Sequence, residues 1–153
     1  MGKVLAVVGV AALALLKSDS VGVVQSLPRG IRNNNPLNIE KGESWEGLSI
    51  DQPDSRFSTF VDARFGFRAA ARILKSYKRR GVVTLGDIIN TWAPSFENDT
   101  ESYINHVSGL TGIGADDVVD EAGYAVLLAA MTEHENGSNP YSVDFISEGL
   151  SWA

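Results

Sequence analysis

Residues 121–142 read EAGYAVLLAAMTEHENGSNPYS, and within them 124–131, YAVLLAAM, is an unbroken apolar run. A helix that is apolar all round has to be enclosed by protein, so this stretch predicts the central buried helix of the fold. Its far end changes abruptly to Glu133, His134, Glu135 and Asn136 before a glycine stop at Gly137. The rod therefore delivers two carboxylates and an imidazole to the edge of the core. A carboxyl group there meets the negative pole of the helix dipole and loses hydration of its charged form, and both effects raise its pKa. A glutamate kept protonated near neutral pH is what a glycosidase uses to protonate a departing sugar oxygen. The competing reading is a solvated helix end with both glutamates in water.

The chain around it has 153 residues, 44% of them hydrophobic, enough to build one core without covalent staples. It has no cysteine, which excludes disulfides and thiolate chemistry. A net charge of -6 argues against a nucleic-acid binder, because neutralising phosphates needs a basic surface. The dense basic group Lys75, Lys78, Arg79 and Arg80 reads as the solvated face and last turn of a helix.

Upstream, residues 4–16 are thirteen apolar residues between Lys3 and Lys17, with a second short run at 21–24. As a helix the thirteen span about 20 Å, short of the roughly 30 Å hydrocarbon core. The segment predicts a short or tilted membrane anchor, extended through 21–24, or else a helix docked on partner subunits. A break at Ser26, Leu27, Pro28, Arg29 and Gly30 sets the boundary between a region 1–27 and a folded domain 28–153.

The domain opens on Asn33, Asn34, Asn35 and Asn38 around Pro36, four side-chain amides suited to a rigid polar loop that bonds backbone or ligand, or to a simple Asx-rich turn. From 39 to 60, turn residues and the alternation of RFSTF at 56–60 predict a small antiparallel hairpin region. Trp45 within it can stack on a sugar face or merely pack. Then helices follow: 66–80 with Phe67, Ala70, Ala71, Leu74 and Tyr77 on one face, a second capped by Thr84 and ended by Pro94, a third opening at Asp99 or Thr100 with Tyr103, Ile104, Val107 and Leu110 inward. A short helical segment at 115–119, the central helix, and a last helix capped by Ser142 complete a mainly α (α+β) domain.

Several of these segments resemble known families. Residues 34–41 (NNPLNIEK), 44–47 (SWEG), 56–60 (RFSTF) and the helix near Gly66 are similar, in order, to the substrate half of flagellar and autolysin glucosaminidases of the lysozyme-like superfamily. In that family the catalytic glutamate precedes these segments, whereas residues 1–32 contain no glutamate. Instead 128–137, LAAMTEHENG, resembles the catalytic helix with Glu135 as the acid, and 135–140, ENGSNP, is similar to the corresponding stretch of lytic transglycosylases. The resemblance implies a circularly permuted lysozyme-like domain and predicts Glu135 within about 10 Å of the 33–46 segment, a gap one sugar bridges. A second resemblance rests on 29–36 (RGIRNNNP), 92–94 (WAP), 97–100 (ENDT), 134–137 (HENG) and 140–142 (PYS), and covers roughly 29–150. These look like phage and prophage virion structural proteins, including membrane-associated components of lipid-containing phages. That implies residence in a virion, with cell-wall digestion at phage entry or a purely structural part.

The expected site then has Glu135 as general acid, with Glu40 the leading second carboxylate ahead of Glu43, Glu46 and Asp51. Glu97 reads as an N-terminal capping residue of the helix entered at 97–100. Asn33, Asn34, Asn35, Asn38, Trp45, Trp92 and Tyr141 are the candidates to line a glycan groove, each with a packing alternative. No metal or other cofactor is expected, since Glu133, His134 and Glu135 are consecutive on a helix and point different ways. No Gly-x-Ser-x-Gly elbow is present for a serine nucleophile. The expected partners are peptidoglycan strands, and a phage membrane or other virion proteins through residues 4–24, with no nucleic acid.

Overall fold

The computed structural model describes residues 26–153, so the anchor expected at 4–24 lies outside the described residues. Six α-helices and one 3-10 turn make up the regular structure described: α1 (Arg29–Arg32), α2 (Ala63–Arg79), α3 (Leu85–Trp92), α4 (Thr100–Thr111), the turn Glu121–Gly123, α5 (Tyr124–Asn136) and α6 (Val143–Ser151). Among the described residues no helix is long and apolar enough to cross a membrane.

Local capping chemistry sets most boundaries. Asp62 accepts from the Arg64 amide and starts α2 three residues earlier than Gly66, the position that the hydrophobic spacing suggests. Thr84, Asp99 and Ser142 cap α3, α4 and α6 by accepting from the amides of Asp87, Ser102 and Phe145. Gly137, with φ 72°, closes α5.

α5 is central but not fully enclosed. Tyr124, Leu127, Leu128, Met131 and Thr132 are buried, while Val126 is 44% exposed. Leu110 of α4, expected inward, is exposed as well. Both residues line a shallow apolar groove over α4, α5 and α6.

Two other expectations need correction. The hairpin region is not a ladder: antiparallel pairing is confined to the isolated bridges Glu40–Phe57 and Leu48–Phe60. Positive φ at Gly42 and Gly47 turns the chain away, and the carboxylate of Asp54 takes the amides of Arg56 and Phe57. Residues 115–119 are not helical. Asp117 accepts from the Gly114 amide, and the backbone then runs past the start of α3 with Leu85 donating to the Asp117 carbonyl and Val119 to the Val83 carbonyl.

α6 seats against α2 through Gly149, where an added Cβ would stand 2.5 Å from the Arg64 carbonyl oxygen and 3.1 Å from Phe67 Cβ. Backbone cannot give way there, so the helices must separate. Gly149→Ala is expected to cost about 1–3 kcal/mol and lower the thermal midpoint, read by circular dichroism melting, although alanine is the better helix former.

Candidate active site

The amide-rich loop and the end of α5 are stitched together directly. Asn34 and Asn38 take left-handed φ of 50° and 52°, which reverses the chain twice within five residues. Asn35 is fully buried and pins the loop, its Nδ2 donating to the Ile39 and Ser58 carbonyls and its Oδ1 accepting from the Ile39 amide. Asn136, the last residue of α5, donates to the Pro36 carbonyl at 2.8 Å. The α1 backbone closes the joint, because an added Cβ on Gly30 would stand 2.5 Å from Asn136 Oδ1 and 2.9 Å from Asn38 Oδ1. Both oxygens are buried without a hydrogen-bond donor.

That joint puts Glu135 against the loop. Asn38 Nδ2 donates to its Oε2 at 3.0 Å, and the Tyr103 hydroxyl of α4 donates to its Oε1 at 3.0 Å. Glu135 is half-buried and lines a cleft of about 640 Å³ together with Asn38, Glu40, Tyr77, Trp92 and Glu97. Burial pushes its carboxyl above the usual carboxylate range, while the bonds from Asn38 and Tyr103 pull the other way. Glu133, two residues earlier, points to the apolar groove on the other side of α5.

The remaining candidates divide by where their groups are used. Glu40 lines the cleft but pairs with Arg56, whose Nε lies 2.7 Å from Glu40 Oε1. Glu97 also lines the cleft and makes no ion pair among the described residues. The α4 cap is Asp99 rather than Glu97, so the helix-start reading of Glu97 does not hold. The amides of Asn33 and Asn34 bond Asp54 and the Phe60 carbonyl, and those of Asn35 bond backbone, so all three build the loop. Asn38 alone of the four faces the acid. Trp92 lines the cleft, edge-on to Tyr77 at 6.5 Å. Trp45 packs on the core, and Tyr141 is held between Phe67 and Phe145 with ring centroids 5.3 Å from each. Neither lines the cleft.

Sequence reasoning missed Tyr103 and its backing. Tyr103 matches the inward spacing of α4, where periodicity alone makes it core. The available signal was chemical, because a buried phenol needs a hydrogen-bond partner. Its pKa is driven well up, first by burial and then by Glu135, so it stays a donor. His134 stacks on the Tyr103 ring at 3.8 Å, and its Nδ1 is 2.9 Å from His106 Nδ1. Burial and then His106 lower the His134 pKa, against a raising influence from Asp99. Among the described residues no group of three or more His, Cys, Asp or Glu is placed to hold a metal ion.

No protein-family model matches the chain. Protein P5 of Pseudoalteromonas phage PM2 is 42% identical over 134 residues, covering 84% of this chain and 84% of the relative.

Proposed function

This chain belongs to the family of phage PM2 protein P5, and on that premise we propose that it is a virion protein whose folded domain cuts the glycan strands of peptidoglycan during infection. The single observation that carries the enzymatic half is Glu135: a half-buried carboxyl with a raised pKa, gripped by two donors at the wall of an open polar cleft. A proton leaves such a group for the glycosidic oxygen, and the carboxylate left behind is met by hydrogen bonds already in place. The meeting of the amide loop with the end of α5 supports the permuted lysozyme-like reading. The apolar pattern of residues 4–24 supports attachment to a phage membrane or to neighbouring virion subunits.

The carboxylates favour a mechanism with one acid/base. Glu40 and Glu97 both line the cleft as candidates for a second carboxylate, Glu40 paired with Arg56 at the surface and Glu97 without an ion pair among the described residues. A lytic transglycosylase needs only Glu135, because the sugar's own hydroxyl attacks. The second reading, a structural virion component that keeps the cleft without the activity, is supported by the kinship with protein P5.

Clearing of a peptidoglycan suspension by the full chain, followed against pH, separates the two. An acid that must be protonated works below its pKa, so clearing is expected through the acid range and into the range where the raised Glu135 pKa lies, then to fall as pH rises through it. No clearing at any pH would leave the structural reading alone.

A further inference from the structure

We propose that the outer face of α2 is a docking surface for anionic lipid headgroups, holding the domain with its cleft turned away from the membrane. Seven of the thirteen lysines and arginines lie within residues 63–80, a span without a single Asp or Glu, in a chain of net charge -6. Arg68, Arg72, Lys75 and Arg79 follow i, i+4, i+7 and i+11 and so form one stripe about 16 Å long. The macrodipole accounts for cations in the last turn, Lys78 and Arg79. It does not account for Arg72 two turns earlier.

The stripe keeps free charge. Arg68 is only 13% exposed at its side chain and pairs with Glu46, so the accessible charge of the stripe rests on Arg72 and Arg79; these and Arg80 make no ion pair among the described residues. Arg72, Arg79 and Arg80 are exposed. Beside the stripe lies the end of the chain, with Arg68 Nε donating to the Trp152 carbonyl and Lys75 Nζ to that of Ala153. Trp152 itself is 38% exposed and packs on Phe65 at 5.2 Å. Basic side chains flanked by an accessible indole match an anionic bilayer surface, where the indole sits at headgroup depth and each cation adds attraction. A duplex would use the cations but has no use for the indole in that position.

Direction follows from the helix itself. Ile73 and Tyr77 line the cleft. At about 100° per residue they stand roughly 150° around α2 from the centre of the stripe. A domain lying on lipid through the stripe therefore opens its cleft to the opposite side. This holds whether or not the cleft is catalytic.

The test is co-sedimentation of the full chain with phosphatidylcholine vesicles made with and without phosphatidylglycerol. Any binding through residues 4–24 is common to both, so the ratio of the two affinities isolates the charged face. Each cation near the surface is worth about fivefold, so Arg72→Gln/Arg79→Gln is expected to lower that ratio roughly 30-fold. Lys41→Gln, outside α2, should leave it unchanged, and circular dichroism checks that each variant is folded. Equal binding to both vesicle types, or a preference for phosphatidylglycerol that survives in the double variant, would overturn the proposal. So would duplex DNA competing as well as anionic vesicles at the same salt, which would make this a nucleic-acid face.

Discussion

Glu135→Gln is expected to reduce peptidoglycan clearing by about 10²–10⁴-fold, the usual contribution of a positioned general acid, without unfolding the protein. Glutamine keeps the shape and lets Asn38 donate to its carbonyl oxygen, while the Tyr103 hydroxyl rotates to accept from the new amide. What disappears is only the transferable proton. Because burial already disfavours the ionised carboxyl, the neutral amide removes a desolvation cost, and the thermal midpoint near neutral pH should hold or rise slightly. That combination, dead but no less stable, separates a catalytic acid from a carboxylate that merely ties α5 to the loop. Equal clearing by the two proteins would take Glu135 out of the mechanism.

How much of this was legible in the sequence depends on the range of the interaction. The helices were readable because their signals are local: Thr84, Asp99 and Ser142 cap the helices their positions announce. Asp62 escaped because its cap precedes the hydrophobic stripe it serves. The juxtaposition of Glu135 with the amide loop, 97 residues apart at Asn38, came from resemblance and not from periodicity, which carries no information over such a separation. Side-chain roles were least legible. Four asparagines in six positions look alike in a sequence, yet three are used by the fold and one faces the acid. Which is which depends on Asp54, Phe60 and Ser58, residues brought in from the far side of the irregular 39–60 region. Hydrophobic spacing likewise marked Val126 and Leu110 as core, but no element covers them among the described residues.

The other large effect should come from Asp54→Ala, which is expected to lower stability by roughly 3 kcal/mol and the thermal midpoint by about 10 °C. Asp54 is 5% exposed at its side chain and accepts five hydrogen bonds: two from Arg29 at 2.6 Å each, and one each at 2.9 Å from Asn33 Nδ2 and the amides of Arg56 and Phe57. Its cover is local, a shell made by Arg29 and the surrounding loop near the surface, so the loss lies at the lower end for a broken ion pair. Arg29 keeps a face on the Phe57 ring, 4.5 Å from its centroid, but loses its counter-charge. The Arg29 guanidinium holds the Asp54 carboxyl far below the usual carboxylate range. A carboxylate with a depressed folded pKa stabilises fully above its unfolded pKa, about 4, and that stabilisation drains away as pH falls below it. Thermal melts at neutral and at strongly acid pH should therefore differ less in Asp54→Ala than in the wild type. Because Asp54 is what fastens α1 and Asn33 to the 50s loop, and α1 backs Asn38 and Asn136, the variant also tests whether the acid site is held from behind. If it is, the alkaline limb of clearing moves upward along with the loss of stability, since a loosened Asn38 no longer favours the ionised form of Glu135.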